Sequence, residues 1–365
     1  EEAREVLASP HVGTAHQVDV LLDVRPYTAL SERARSMLSN LMLLTDPPRH
    51  TRLRGLVNRA FTPRQVARLE PMMTSMVDDL LTNLGQGPGD DIELMGEFAE
   101  PFPAMVISEL FGLERSDWQW MQTISATFVK LTDPIRGFDP DEVEASIGEF
   151  HQRIVALAAE RRAEPADDLL TGLALAEADD GDTLSEDELV AVAGLILFAG
   201  HETTSSMIGL SVLLLRERPD QLAKLRADPE LWPNAIEELL RFDPTLRSDP
   251  RTVNEDFELA GHRLQRGQNI VVLTQMANRD PRRFPDADQL VVDRHDPAPL
   301  SFGHGIHFCL GASLARLEIE TLFSELTQRM PDISQAGPPE GLRMNLVQGV
   351  KHLPVTFTPG EPVGT

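Results

Sequence analysis

The sequence predicts a mainly helical protein with a small β region, and three observations carry that prediction. Apolar residues recur at helical spacing in stretch after stretch, separated by proline- and glycine-bearing turns. One stretch, from about Glu186 to Arg216, has no proline and opens on a capping box, Ser185-Glu186-Asp187-Glu188. Only Arg251 to Asp256 and Asn269 to Thr274 read clearly as strands, with a Gly261 turn and Gly267 between them.

The chain opens directly in a helical pattern, Glu1 to Leu7, and residues 8 to 40 then read mostly as loop, broken by Pro10, Gly13 and Pro26. Thr45 to Arg54 is a turn opening a helix. Thr62-Pro63 starts another, with a cap residue before a proline, and Pro71 should kink or restart it before it ends at Gly85. Its methionines, Met72, Met73 and Met76, read as core packing. Asp90 to Leu113 is a helical stretch broken by Pro101 and Pro103. Trp118 to Leu131 and Glu142 to Ala163 are two more helices, flanking a loop from Pro134 to Pro140. Pro233 to Arg241 and the run after Cys309 complete the helices, and Pro331 to Gly341 reads as loop.

Composition bounds the function. Of 365 residues, 41% are apolar, enough for a sizeable core and too many for global disorder. A net charge of −25 argues against nucleic acid, whose phosphates need a basic footprint. The longest apolar run, Leu189 to Gly200, is 12 residues, short of a membrane span, and no signal-peptide pattern is present. Length allows one large domain or two medium ones, and the expectation is a monomeric, cytoplasmic protein with no membrane contact.

Four groups of residues stand out chemically. Cys309 is the only cysteine, so an internal disulfide and a cysteine-cluster metal site are both excluded. It lies in a glycine-rich loop, Ser301 to Ala312, at the start of a helix. Free backbone N–H groups and the helix dipole there should favour a thiolate. Such a thiolate suits a nucleophile, a redox sensor or a metal ligand, and an inert buried thiol is the plain alternative. His50 and Arg54 share a helix face, as a basic surface stripe would. Ala199-Gly200-His201-Glu202-Thr203-Thr204 interrupts an apolar helix. Small residues there leave room for a ligand and an acid beside an alcohol can deliver protons, whereas a tolerated kink is the simpler account. Glu238 and Arg241 can pair on one helix face, the default being a surface ion pair.

Taken together these motifs resemble the cytochrome P450 family. Phe302, Gly303, Gly305, His307, Cys309 and Gly311 match its haem-thiolate loop, Phe-Gly-x-Gly-x-His-x-Cys-x-Gly. Ala199-Gly200-x-Glu202-Thr203-Thr204 is similar to its oxygen-activation motif. His50-x-x-x-Arg54 after Asp46-Pro47-Pro48 resembles its propionate-binding pair, and Glu238-x-x-Arg241 its structural pair. Ala277 to Pro281 with Phe284 to Asp286 resembles the later segment that carries a second arginine for that pair.

The resemblance implies the cytochrome P450 fold, a helix-rich single domain, with a first helix and first strands that family members carry before Glu1. It implies haem b with Cys309 as the axial iron ligand, a thiolate that favours O–O cleavage. His50, Arg54, Arg251 and His307 would hold the propionates, and Ala199, Gly200, Phe302, Gly303 and Gly311 would border the cofactor. Glu202 and Thr203 would relay protons. The implied reaction inserts one atom of O2 into a lipophilic substrate by hydroxylation or epoxidation. A pocket of Leu43, Leu195, Phe198, Ala199, Leu246, Val350 and His352 would enclose it, beneath a lid helix pair. His201 and Arg247 are polar anchors at most, and a packed histidine and a surface arginine are the safer readings. One cysteine cannot hold an iron–sulfur cluster and no flavin or nicotinamide fingerprint is present, so electrons would come from a separate ferredoxin or flavodoxin. Arg49, Arg52, Arg59 and Arg64 are its candidate docking patch. The rival readings are a peroxygenase using H2O2, which has no need of the acid–alcohol pair, and a non-catalytic haem-binding protein.

Overall fold

The computed structural model describes residues 1–84, 92–132, 137–295, 299–343 and 347–357. In chain order the first half comprises α1 (Glu2–Ala8), β1 (Val12–Gly13), α2 (Ala15–Leu22), α3 (Glu32–Asn40), α4 (Arg49–Ala60), α5 (Pro63–Arg68), α6 (Glu70–Asn83), β2 (Ile92–Glu93), α7 (Pro101–Leu110), α8 (Trp118–Thr132), α9 (Pro140–Ala163) and α10 (Leu169–Ala174). The second half comprises α11 (Glu186–Arg216), α12 (Pro219–Ala227), α13 (Trp232–Phe242), β3 (Asp249–Val253), β4 (Phe257–Leu259), β5 (His262–Leu264), β6 (Asn269–Val272), α14 (Thr274–Ala277), α15 (Ala312–Arg329), β7 (Ser334–Gln335), β8 (Glu340–Arg343), β9 (Gln348–His352) and β10 (Pro354–Thr356). The strands form small antiparallel sheets: β1-β3-β6, β2-β10-β7, and the pairs β4-β5 and β8-β9.

Helix starts follow their cap chemistry. Thr62 and Gln65 form a capping box that opens α5, and Pro71 falls in the first turn of α6, restarting the helix there. The Ser185–Glu188 box opens α11. Pro101 and Pro103 also stand in a first turn, so they begin α7 where the sequence suggested a break. The ends at Gly85 and Asp90 and residues 134–136 of the loop from Pro134 to Pro140 lie outside the described residues.

Strand β2 falls in the stretch read as helical from Asp90, because it pairs with β10 late in the chain, and two segments read as loop also differ. Residues 8–40 hold α2 and α3, with Ser31 capping the latter through the Ala34 N–H at 3.3 Å. Helices of 8 and 9 residues are too short for a period to be legible, and tertiary packing stabilises them. Residues 331–341 contribute β7 and part of β8, whose partners β10 and β9 come later in the chain and leave no local signal.

A contiguous apolar core reaches from Val18 to Phe357, and α11 runs through it. Among the described residues α11 alone is long and apolar enough to cross a membrane, yet 67% of its apolar window is buried in protein. Gly194 lets the Phe128 ring of α8 lie directly on α11, where any side-chain carbon would overlap it. A satellite cluster of Val6, Leu7, Val12, Val272 and Leu300 seats α1 against β6.

Glu238 on α13 is buried, accepts from Arg241 at 2.6 and 2.9 Å, and ion-pairs with Arg294 at 3.0 Å. The second arginine is therefore Arg294, beyond the 277–286 segment expected to supply it. Arg279 instead donates to the Phe242 carbonyl and stacks on that ring. The segment joins the network through carbonyls, since Arg241 donates to Asn278 and Ala287. Glu238→Ala strips a buried charge pair of one partner, and urea denaturation should record a loss of about 3–5 kcal/mol.

His201 is a packed histidine, bonded to Ser125 Oγ at 2.9 Å and to the Glu100 carbonyl at 3.1 Å. Burial takes its pKa down to about 4. The folded state thus refuses a proton that the unfolded chain accepts below about 6.5. This contribution to stability is complete above that value and is lost as pH falls toward 4. Denaturation midpoints of His201→Gln should vary less with pH across that window than those of the parent.

Candidate active site

The Cys309 loop is shaped by its glycines and tied down from outside. Gly303 and Gly305 have φ of +72° and +73°, a region side chains other than glycine rarely enter. A side-chain carbon at Gly305 would also collide with the Leu7 carbonyl of α1. The Cys309 N–H donates to the Phe302 carbonyl at 2.9 Å, closing the loop. Asn278 accepts from the Leu300 N–H at 2.7 Å and donates to Ser301 Oγ at 2.9 Å, and Ser301 donates to the Leu240 carbonyl. The loop thereby hangs from the end of α13. Arg316 lies 4.5 Å over the Phe302 ring and ion-pairs with Glu237.

The thiol departs from the sequence expectation. The Gly311 N–H, Arg54 and Arg316 each pull the Cys309 pKa down, but burial outweighs them and pushes it above its ordinary value. The helix start alone does not make a thiolate. A thiol that keeps its proton is a poor nucleophile or sensor, whereas a metal ion at the sulfur would displace that proton.

Two distant segments, α4 and β3, converge on this loop. His50 of α4 and His307 have ring centroids 4.2 Å apart. Burial and then the Arg54 charge lower His50, and burial with the charges of His50, Arg251 and Arg54 drives His307 down to about 3. Burial also lowers Arg54. Arg251 is buried on β3, with its guanidinium on Asp249. His50 Nδ1 and His307 Nε2 are buried without a hydrogen-bond partner among the described residues. A cluster of nitrogen donors with too little negative charge and two idle imidazole nitrogens fits a bound carboxylate group.

Along α11, residues 198–200, 202 and 203 are partly exposed within a helix otherwise mostly buried from 188 to 215. Thr203 Oγ1 donates to the Ala199 carbonyl at 2.6 Å, and the Thr203 carbonyl accepts from Thr245 at 3.4 Å. Gly200 does not open space for a ligand, because Ile107 of α7 occupies it: an added Cβ would lie 2.8 Å from Ile107 Cδ1.

The expected pocket residues divide. Phe198 is half-buried and stacks parallel on Phe128, rings 5.9 Å apart, and Leu195 is buried one turn earlier. Leu43 and Leu246 are 46% and 38% exposed, the latter beside Thr245 at the level of Thr203. Val350 and His352 do not join them. Val350 is buried against α11 at Gly209, ten residues or about 15 Å along the helix from Ala199. The His352 side chain is 50% exposed between Glu93 and Glu340. Strand β9 is buried through Val350 and exposed from Lys351 onward, so it leaves the core between the two residues.

The arginine patch is largely occupied by the chain's own acids. Arg52 bonds Asp182 at 2.5 and 3.0 Å and Glu188 at 2.7 Å, and Arg59 bonds Asp179 at 2.7 Å. Arg49 bonds the Ser39 carbonyl, Arg64 is exposed, and Arg247 is an exposed arginine on Gln348. The acidic turn at 179–182 thus clasps α4. Sequence reasoning missed this clasp, Arg294 and the buried Glu318, because each depends on a partner remote in the chain.

The model of the family described as Cytochrome P450 matches residues 24–330. Cytochrome P450 107B1 of Saccharopolyspora erythraea is 40% identical over 97% of this chain and 87% of its own length. The 6-deoxyerythronolide B hydroxylase of that organism is 36% identical over 90% and 81%. Vitamin D(3) 25-hydroxylase of Pseudonocardia autotrophica is 40% identical over 87% and 78%. Among solved structures, CalO2 superposes with a TM-score of 0.90 at 33% identity, over 99% of this chain and 89% of that one. P450BioI in complex with a fatty-acid-bearing acyl carrier protein superposes at 0.87 with 30% identity, over 98% and 90%. The chain belongs to the cytochrome P450 family, whose haem-thiolate chemistry makes it an oxygen-incorporating oxidoreductase.

Proposed function

We propose that residues 1–365 act as one haem b domain in the cytoplasm, with Cys309 as the axial iron ligand and His50, Arg54, Arg251 and His307 holding the propionates. The observation that carries this reading is the convergence of those four side chains beside Cys309, with two buried imidazole nitrogens unbonded. Propionates would satisfy both nitrogens and offset the charge of the arginines. Ordinary hydrogen bonds to a charged group are worth about 1.5–3 kcal/mol each. Removing one by His50→Ala or Arg54→Ala should therefore speed haem loss roughly tenfold or more, read as transfer to apomyoglobin.

Bound haem supplies reductive activation of O2 for insertion of one oxygen atom into the substrate. The chain's own residues bind, orient and protonate. Thr203, its hydroxyl held on the Ala199 carbonyl, is the alcohol that passes protons, and Glu202 beside it is the acid that replenishes them. Leu195, Phe198, Ala199, Leu43 and Leu246 offer an apolar wall with few anchors, which suits a lipophilic substrate. Relatives named for 6-deoxyerythronolide B and vitamin D(3) hydroxylation support that class. Electrons come from a separate ferredoxin or flavodoxin. Its dock does not rest on Arg52 and Arg59, which the acidic turn holds.

The reduced protein under carbon monoxide should show the red-shifted band of thiolate-ligated haem, and Cys309→Ser should abolish it. A histidine-type band in the parent would overturn the ligand assignment. Thr203→Ala should cut product formation by up to about 10²-fold while NADH consumption continues and the electrons appear as hydrogen peroxide. Unchanged coupling would remove Thr203 from the relay, and turnover faster with added peroxide than with ferredoxin would replace the monooxygenase reading with a peroxygenase.

A further inference from the structure

Residues 243–248, between α13 and β3, belong to no helix or strand, so their backbone carbonyls must find donors elsewhere. They are taken one after another. Pro244 accepts from Gln348 Nε2 at 2.8 Å, and Thr245 from the Gln348 N–H at 2.8 Å. Leu246 accepts from Thr274 Oγ1 at 2.9 Å, and Arg247 from the Gln275 N–H at 3.1 Å. Gln348 also donates to Asp243 Oδ1 at 2.5 Å and accepts from Arg247 Nε. The Gln348 side chain, in a residue 5% exposed, thus bonds Asp243, Pro244 and Arg247, and its N–H holds Thr245 between them.

Strand β9 gives that side chain a fixed base. Its backbone lies directly on α11: a side-chain carbon at Gly349 would come within 2.3 Å of Ser206 Oγ, and Val350 packs over Gly209. Leu246 and Val347 form an antiparallel bridge. Thr245 is buried and directs its hydroxyl to α11, to the Thr203 carbonyl at 3.4 Å and the Met207 sulfur at 3.9 Å. Burial pushes the Asp243 pKa up, and the Gln348 bond is the largest influence against it, so this amide is the main donor that the carboxyl has. The loop that carries Leu246 is therefore fastened on one side by Gln348 and on the other by Thr274 and Gln275.

We infer that Gln348 is a positioning residue that sets where Leu246 stands in the substrate wall, by stapling the 243–247 loop to β9 and through it to α11. Strand β9 thereby acts on the pocket at second hand, although Val350 and His352 do not join the wall. An apolar side chain on an irregular loop discriminates between substrates only when a supporting shell fixes the loop. The inference rests on the reading of this cavity as a monooxygenase pocket.

The test uses the haem-loaded protein with imidazole and phenylimidazole as probes, each read by the shift of the haem absorption band. Gln348→Met keeps the volume and removes the amide. It should weaken phenylimidazole, whose larger body needs the wall, severalfold and leave imidazole unchanged. Leu246→Ala should do the same, and the double variant should be no weaker than the worse single one, because both act through one contact. Losses that add, or a parent-like ratio of the two affinities in Gln348→Met, overturn the inference. Gln348→Glu sets a second carboxylate against Asp243 and should bind phenylimidazole more weakly still. Adding Asp243→Asn should recover part of that loss, a rescue that damaged packing alone would not show. Should Gln348→Met fail to fold, Thr274→Val frees the Leu246 carbonyl from the other side and should give the same pattern with the probes. Amide exchange supplies a readout that needs no haem. The Gln275 amide, across the loop from Gln348, should exchange severalfold faster in Gln348→Met, and unchanged exchange overturns the staple. A missing thiolate band in the parent is a separate outcome, which overturns the monooxygenase reading and leaves the staple to be decided by the exchange result.

Discussion

A buried group of two arginines and two imidazoles, whose charged form burial disfavours, is the constraint around which this structure is arranged. His50, Arg54, Arg251 and His307 crowd into a region where water is scarce, and burial is the first cause of the lowered pKa of both histidines and of Arg54. Left alone such a cluster would push apart. It holds because each contributor is fixed from behind by a separate part of the fold. Helix α4 is clasped through Arg52 by Asp182 and Glu188, Arg251 is gripped by Asp249 on the same strand, and His307 belongs to a loop hung from Asn278 and Ser301. The network of Glu238 with Arg241 and Arg294 sits one layer further out and anchors the segment that carries Asn278.

Chemistry at the sulfur follows from the same economy of water. An isolated Cys309 would keep its proton, since burial outweighs the Gly311 N–H and both neighbouring arginines. The loop fixes where the partly buried sulfur stands and does not by itself ionise it. Along α11 the hydroxyls of Thr203 and Ser205 lie on backbone carbonyls and that of Thr204 on a carboxyl.

How much of this was legible in the sequence depended on how local the signal was. Caps at Thr62 and Ser185, the proline at position 71 and the length of α11 are decided within a few residues, and the structure has them as read. The motif around Cys309 is likewise contiguous. Helices α2 and α3 are too short to show a period, and β7 and β8 acquire their form from strands that follow them. Within the candidate site, His50, Arg54, Arg251 and His307 lie close together, whereas Val350 and His352 do not reach Ala199 and Gly200 faces Ile107. Arg294 and Glu318 were invisible because their meaning comes from burial and from partners 56 and 114 residues away, for Glu238 and Thr204 respectively.

The contact between Gly305 and the Leu7 carbonyl carries a consequence for durability. Helix α1 has only 7 residues and no side-chain cap, and five apolar residues of a satellite cluster seat it. Such an element frays at a lower free energy than the main core opens. The lip of the cysteine loop is thus backed by a short helix seated on a small cluster. On warming, a local exit of α1 would remove the backing at Gly305 while the main core stayed folded, so the site would lose its shape before the fold did.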